Sequence, residues 1–370
     1  MDKNPYKLEP SFQPRGHYRA IQLRRSLFKT KYKYLMLWVL SSLTIAACTS
    51  TTRPVHHHKP TPAHQAVASI ASCPLTGMPI PNGQGVPQRA ALAVKVDNYP
   101  DARPQSGLDY ADVVFEEPVE GGITRYVAVF QCQNAPLVGP IRSARNIDIG
   151  ILGQLGSPIL AHVGGIQPVL NNIDNSPLIN LDLRGYGSIL QNLPGRVAPY
   201  DTYASTSALW GVEPQAKTVP PALFLYSTAK PNGVPVSNVN IPFSSYSNVV
   251  WRYDASINAY QRFYGTKPDV LADGHQNTAT NVIVQFVQIS YGPWYENSQG
   301  GLEVQADLYP NASGPAQIYE NGVEINATWQ HGALGSTTQY LNSTGQPIAL
   351  QPGPTWVELV PNTVTVTSTK

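Results

Sequence analysis

ADVVFEEPVEGGITRYVAVFQC, residues 111–132, reads as two strands joined by a tight reversal. ADVVFEE (111–117) and ITRYVAVFQC (123–132) are rich in Val, Phe and Tyr, and Gly121-Gly122 stand where the chain must turn back. Strand side chains alternate between faces, so Val113, Phe115 and Glu117 share one face while Asp112, Val114 and Glu116 share the other. Arg125 falls on the face of Val127 and Val129. A charge at the end of an apolar face needs a partner, because an unpaired buried ion is very costly. Glu117 and Glu120 with Arg125 are therefore a candidate network around the hairpin.

The same grammar extends on both sides. ALAVKVDN (91–98) sets Leu92, Val94 and Val96 opposite Lys95 and Asp97. SARNIDIGILGQL (143–155) predicts a helix near whose start GPIRSAR (139–145) places Arg142 and Arg145, three apart and so on one helical face. PILAHVGG (158–165) reads as a buried strand followed by a short helix from Gln167. After VPPALFLY (219–226) only strands follow. NVVWRYD and AYQRFY (248–254, 259–264) form a hairpin across SIN, and NVIVQFVQI (281–289), GLEVQADLY (301–309), AQIYENGVEINATW (316–329) and TWVELVP (355–361) come next. Asn321-Gly322 between alternating runs is a strong hairpin signal. The expectation is α+β: a mixed N-terminal domain with antiparallel-type strands over 73–221, then a β-rich C-terminal domain over 222–370. The Pro-rich stretch around 214–221 marks the boundary.

The N-terminus carries a different message. Nine of the 25 Lys/Arg and two of the 23 Asp/Glu lie in residues 1–47, leaving the body mildly acidic with 16 basic and 21 acidic groups. That balance offers no basic face for nucleic acid. Arg15 to Lys33 precede the apolar run LMLWVLSSLTIAA (35–47), which is too short for the ~20 residues of a membrane-spanning helix. It reads as a secretory signal, and Ile45-Ala46-Ala47-Cys48 as a lipobox that delivers a lipidated Cys48 to the plasma membrane. The competing reading is an uncleaved anchor helix; either puts the body outside the cytoplasm. Residues 48–72 form a Pro/Thr/Ala/His tether, whose His56-His57-His58 triplet could hold a metal ion, although such a triplet in a tether more often does nothing specific. Cys73 and Cys132 are the two remaining thiols, and in an exported chain they suggest a disulfide, free buried thiols being the alternative.

The residues that could carry chemistry crowd into the first half: Asp97, Asn98, Arg103, Gln105, Asp112, Glu116, Glu117, Glu120, Arg125, Arg142, Arg145, Asp148 and His162. Arg142 and Arg145 either face a cleft, where they suit a carboxylate or phosphate, or are saturated by nearby carboxylates. Glu117 or Glu120 could serve acid/base hydrolysis, but their adjacency in sequence is weak support. Ser143 has no base beside it, GPIRSAR is not a nucleophile elbow, and His162 fits a hydrogen-bonded core position. Phosphate-loop, dinucleotide and zinc-spacing motifs are absent, so no cofactor or metal is expected.

Several ordered blocks, CPLTGMP (73–79), AVKVDNYPDARPQSGLDYADVVFEEPVEGGITRYVAVF (93–130) and GPIRSAR, resemble the YerB-like family of bacterial lipoproteins, a family of unknown function. TNVIVQ (280–285), GPAQIYENGVEINATW (314–329) and PGPTWVELVP (352–361) resemble that family's second domain. The resemblance implies an α+β domain, a β-rich domain and attachment to the outer face of the plasma membrane; it implies no reaction. The positions that match are Asp97, Arg103, Glu117, Glu120, Arg125, Arg142, Ser143 and Arg145, which become the candidate ligand-binding residues. Cys73 and Tyr200-Asp201 depart from the pattern, the latter standing where the family tends to show His-Asn. The expected function is a non-catalytic binding protein for a wall component or a wall-synthesis partner, with a wall-directed hydrolase as the alternative.

Overall fold

The computed structural model describes residues 71–81, 84–297 and 300–370, all within the compact unit Ala66–Lys370. The signal segment, Cys48 and the tether up to residue 70 lie outside the described residues. The first half supplies β1 (Leu92–Asp97), β2 (Val113–Pro118), β3 (Thr124–Phe130), α1 (Ile147–Leu152), β4 (Ile159–His162), α2 (Gln167–Asp174) and β5 (Ile179–Asp182). The second half supplies β6 (Asn238–Pro242), β7 (Asn248–Asp254), β8 (Ala259–Tyr264), β9 (Asn281–Val287), β10 (Ile289–Tyr295), β11 (Leu302–Ala306), β12 (Ala312–Glu320), β13 (Val323–His331), β14 (Gln339–Leu341), β15 (Thr355–Pro361) and β16 (Thr367–Thr369).

Both halves build one mixed sheet in the order β14-β13-β12-β9-β15-β2-β3-β1-β4-β5, with Val234–Pro235 added beside β13. The halves meet where β15 lies parallel to β2, pairing Val113 with Thr355 and Glu116 with Glu358. The described molecule is therefore strand-rich, with a shared sheet joining the segments before and after the Pro-rich stretch. The expected antiparallel pairing holds for β1–β3 and β2–β3, whereas β4 and β5 add in parallel. α2 supplies the crossover that a parallel β4–β5 pair requires.

The alternation read from the sequence sets the two cores. Val94, Val96, Val114, Tyr126 and Ala128 face Val239, Ile241, Val249, Trp251 and Tyr260 of a second sheet. That sheet runs β8-β7-β6-β16, with two short strands beside β8. Ala93, Val113, Phe115, Val127 and Val129 face Ile147, Ile151, Leu152, Val169 and Ile173, which come from α1 and α2. Each large apolar side chain so buried contributes about 1.5–3 kcal/mol. The Asn-Gly signal is realised as a two-residue turn with Asn321 at φ 49° and Gly322 at φ 71°, the mirror-image turn that matches strand twist. Cys73 and Cys132 are joined in a disulfide.

GPIRSAR departs from the helical expectation. The α-helix starts only at Ile147, and residues 142–145 are in neither helix nor strand. Backbone pairing with distant strands outcompetes the local helix: Arg142 donates its N–H to Lys95 O at 2.9 Å, Val163 donates to Arg142 O at 3.0 Å, and Ala144 donates to Gly164 O at 3.0 Å. The segment is thus threaded between the ends of β1 and β4.

Candidate functional site

That threading places both arginines at one end of the sheet. Asp97 closes β1, Arg125 is the second residue of β3, and the Glu120-Gly121-Gly122 turn joins β2 to β3 with both glycines at positive φ. Around them opens a cleft of about 600 Å³ lined by Asp97, Glu120, Arg125, Arg142, Ser143, Arg145 and Glu296, with Tyr99, Tyr200 and Tyr246.

The three guanidiniums are held very differently. Arg145, 3% exposed, grips Glu120 through Nη2–Oε1 at 2.5 Å and Nε–Oε2 at 3.0 Å, and its Nη1 lies 3.3 Å from Glu296 Oε2. Arg125 donates Nη1 to Ser143 O at 3.1 Å and approaches Glu120 at 3.7 Å, while its buried Nε has no partner. Arg142 is 26% exposed and bonds through Nε to Asp97 Oδ2 at 2.5 Å. Among the described residues its two Nη groups make no hydrogen bond, so the outer edge of the guanidinium is available. The Tyr200 ring lies 5.8 Å beneath it and stacks on Tyr99 with centroids 6.1 Å apart.

Electrostatics follow from burial and these partners. Burial opposes ionisation of Glu120, but Arg125 and Arg145 outweigh it and hold the carboxyl below its ordinary range. Burial pushes Arg125 down to about 10, with Arg145 adding repulsion, so it stays charged at neutral pH. Glu296 is pushed up to about 7, burial exceeding the pull of Arg145, and its Oε1 is buried without a partner. The cleft thus combines an open arginine edge, a carboxyl that titrates near neutrality and a tyrosine wall. It is suited to holding an anionic group through a bidentate guanidinium contact.

Residues 75–219 match the model described as "Protein of unknown function (DUF3048) N-terminal domain", and residues 239–357 match its C-terminal domain. The chain belongs to the DUF3048 family. YerB of Bacillus subtilis (strain 168), named as a candidate lipoprotein, is 29% identical over 303 residues, covering 80% of this chain and 88% of the relative. The crystal structure of the YerB protein from Bacillus subtilis superposes with a TM-score of 0.68 at 23% identity, covering 80% of this chain and 99% of that one, and so shares its fold.

Within this DUF3048 chain the candidate residues divide. Asp97, Glu120, Arg125, Arg142, Ser143 and Arg145 come together in the cleft. Glu117 does not: it is fully buried, paired with Lys95, whose Nζ also reaches Asp148 Oδ1 at 2.6 Å. Burial raises its carboxyl to about 8 against the pull of Lys95. Arg103 points elsewhere, donating to Asn98 Oδ1 and to the carbonyls of Asn98 and Tyr246, with its guanidinium 3.6 Å over Tyr264. Ser143 Oγ donates to Val163 O at 3.1 Å, and buried His162 bonds Gly164 O and Asn180 Oδ1. The sequence reading missed Tyr99, Tyr246 and Glu296 as cleft residues, and it met Tyr200 only as a departure. Tyr246 and Glu296 come from loops without periodicity, so only tertiary structure brings them here.

Proposed function

We propose that the protein is an extracytoplasmic lipoprotein, anchored through Cys48 to the outer face of the plasma membrane, that binds an acidic component of the cell envelope in this cleft without catalysing a reaction. The lipobox and the name of the Bacillus relative support the anchoring. No helix among the described residues is long and apolar enough to cross a membrane.

The observation that carries the binding role is Arg142. Its Nε edge is fixed by Asp97 while its outer edge faces the cleft over an aromatic wall. Hydrolysis through Glu117 or Glu120 is the less favoured reading. Glu117 is sealed against Lys95, and Glu120 is engaged by two guanidiniums.

Titrating residues 66–370 with soluble wall fragments and with inorganic phosphate in a calorimeter tests this. Saturable binding that disappears in Arg142→Ala is expected. Binding of equal strength in that variant, or turnover of a wall fragment that Glu120→Gln abolishes, would sink the proposal.

A further inference from the structure

Charge balance in the cleft turns on one carboxyl. Among the lining residues, three carboxyls (Asp97, Glu120 and Glu296) meet three guanidiniums (Arg125, Arg142 and Arg145). With every group ionised these charges cancel, and an incoming anion finds no net attraction. With one carboxyl protonated, the lining carries a single positive charge.

The three carboxyls are held unequally. Asp97 binds Arg142 Nε at 2.5 Å and accepts the Tyr99 N–H at 2.8 Å. Glu120 receives both Nε and Nη2 of Arg145, with Arg125 at 3.7 Å. Glu296 has less. Its side chain is 2% exposed, and its Oε2 lies 3.3 Å from Arg145 Nη1, which already donates to Ala144 O at 2.8 Å. Its Oε1 is buried and has no partner among the described residues. A buried carboxylate oxygen without a donor is costly, so Glu296 is the carboxyl of the three that most readily takes a proton.

Its charged neighbours come from four elements: Arg145 before α1, Glu120 in the β2–β3 turn, Arg125 in β3 and Glu303 in β11. Burial, Glu120 and Glu303 favour the protonated form, and the two arginines oppose it. Glu303 is itself engaged, accepting the backbone N–H and the Nδ2 of Asn146 at 2.9 Å each. Arg142 and Asp97 complete the charged lining, and burial wins: Glu296 sits at about 7.

Resting on the anion-binding reading of Arg142, we propose that the cleft takes up a proton on Glu296 together with its anion. Glu296 does not touch the ligand, because its free oxygen is sealed; it acts through charge. An anion beside Arg142 makes a further negative charge in the cleft costlier, and a neutral Glu296 leaves the guanidiniums less compensated. Proton and anion therefore strengthen each other's binding by the same factor. The protein captures its acidic ligand in mildly acid surroundings and releases it as the pH passes neutrality.

The test is calorimetric titration of residues 66–370 with sulfate at constant ionic strength. Sulfate keeps one charge from pH 5.5 to 8.5, so every pH effect belongs to the protein. Affinity should fall about five- to tenfold between pH 6 and 8, as a coupling factor of about 10 or more gives for a group at about 7. Buffers of different ionisation enthalpy should report uptake of about 0.4 proton or more per sulfate at pH 7 on the same coupling. Glu296→Gln should abolish both the slope and the uptake, and bind sulfate more tightly than wild type at pH 8. Arg142→Ala should lose binding at every pH. Arg142-dependent binding that is flat with pH and takes up no proton, or a slope that survives Glu296→Gln, overturns the proton link and leaves the Arg142 reading intact. No binding at pH 6, or binding indifferent to Arg142→Ala, overturns both.

Discussion

Glu116 and Glu117 are neighbours in β2, yet each faces a different cluster of basic groups, one on either side of the sheet. On the Glu116 side, Arg262 is fully buried; its Nη2 meets Glu116 Oε2 at 2.5 Å and its Nη1 meets Asp269 Oδ2 at 2.7 Å. The rings of Tyr126, Trp251, Tyr264 and Trp356 surround it within 6 Å. Glu116 also accepts from Thr124, Ser247 and Asn98. Glu358 beside it is raised well above the ordinary range by burial and by Glu116, and it accepts from Trp251 Nε1 at 2.8 Å. On the Glu117 side, the cluster is closed around Lys95 and opens outward through Arg145 to Arg142. Both sides combine cations, carboxylates and aromatic rings. The Arg262 cluster is enclosed and fastens the second sheet to the first, while the Arg142 cluster keeps an unused donor edge in a cleft. Composition alone therefore does not tell a fastening from a binding site, and neither does a spare donor, since Arg262 Nε is also unpartnered; what differs is that the spare donors of Arg142 face an open cleft while that of Arg262 is sealed inside.

The comparison is broken most severely on the closed side. Arg262→Ala strands Glu116 and Asp269 in a dry interior and should cost about 3–5 kcal/mol of unfolding free energy, measured by urea titration, because one partner of a buried pair has been removed. A loss below about 1 kcal/mol would mean that this cluster does not fasten the sheets.

Arg145→Ala lies between the extremes. It removes the bidentate contact to Glu120 and should cost about 1–3 kcal/mol, through hydrogen bonds lost from a charged group, while also weakening ligand binding. Unchanged stability with lost binding would show that Arg145 belongs wholly to the ligand.

Acidity sharpens the contrast further. The carboxyl of Glu296 sits at about 7 in the folded protein, above its ordinary 4.5, so the folded state holds a proton that the unfolded chain has released. Its contribution to stability is present below pH ~4.5 and is lost as the pH rises through about 7. Asp112 at about 6, Glu320 at about 7 and Glu117 at about 8 act with the same sign. The informative quantity is therefore the difference between wild type and Glu296→Gln. The melting temperature should fall less steeply between pH 5 and 8 in the variant, and parallel curves would contradict the assignment.

How much of this was readable beforehand depends on the range of the interactions. The parity of Val113 to Glu117 and the Asn321-Gly322 turn are local properties, and they emerge in the structure as read. The helix expected over 143–155 begins only at Ile147, because the partners of the preceding residues, Lys95 O in β1 and Gly164 O just after β4, are distant in sequence and invisible to local periodicity. Glu117 was grouped with Arg125, its cross-strand neighbour in register, yet its buried carboxylate pairs with Lys95 on β1. Tyr246 and Glu296 reach the cleft from more than a hundred residues beyond Arg145, and nothing in their own segments marks them.

The smallest expected effect on stability tests the central claim most directly. Urea denaturation of wild type and Arg142→Ala should be compared with and without saturating wall fragment or phosphate. If Arg142 is a ligand donor, the substitution costs about 1–2 kcal/mol without ligand, because buried Asp97 loses one partner but keeps the Tyr99 N–H, and it abolishes the ligand-induced stabilisation seen in the wild type. A loss of several kcal/mol without ligand, with no ligand stabilising either protein, would contradict this account and make Arg142 a second fastening like Arg262.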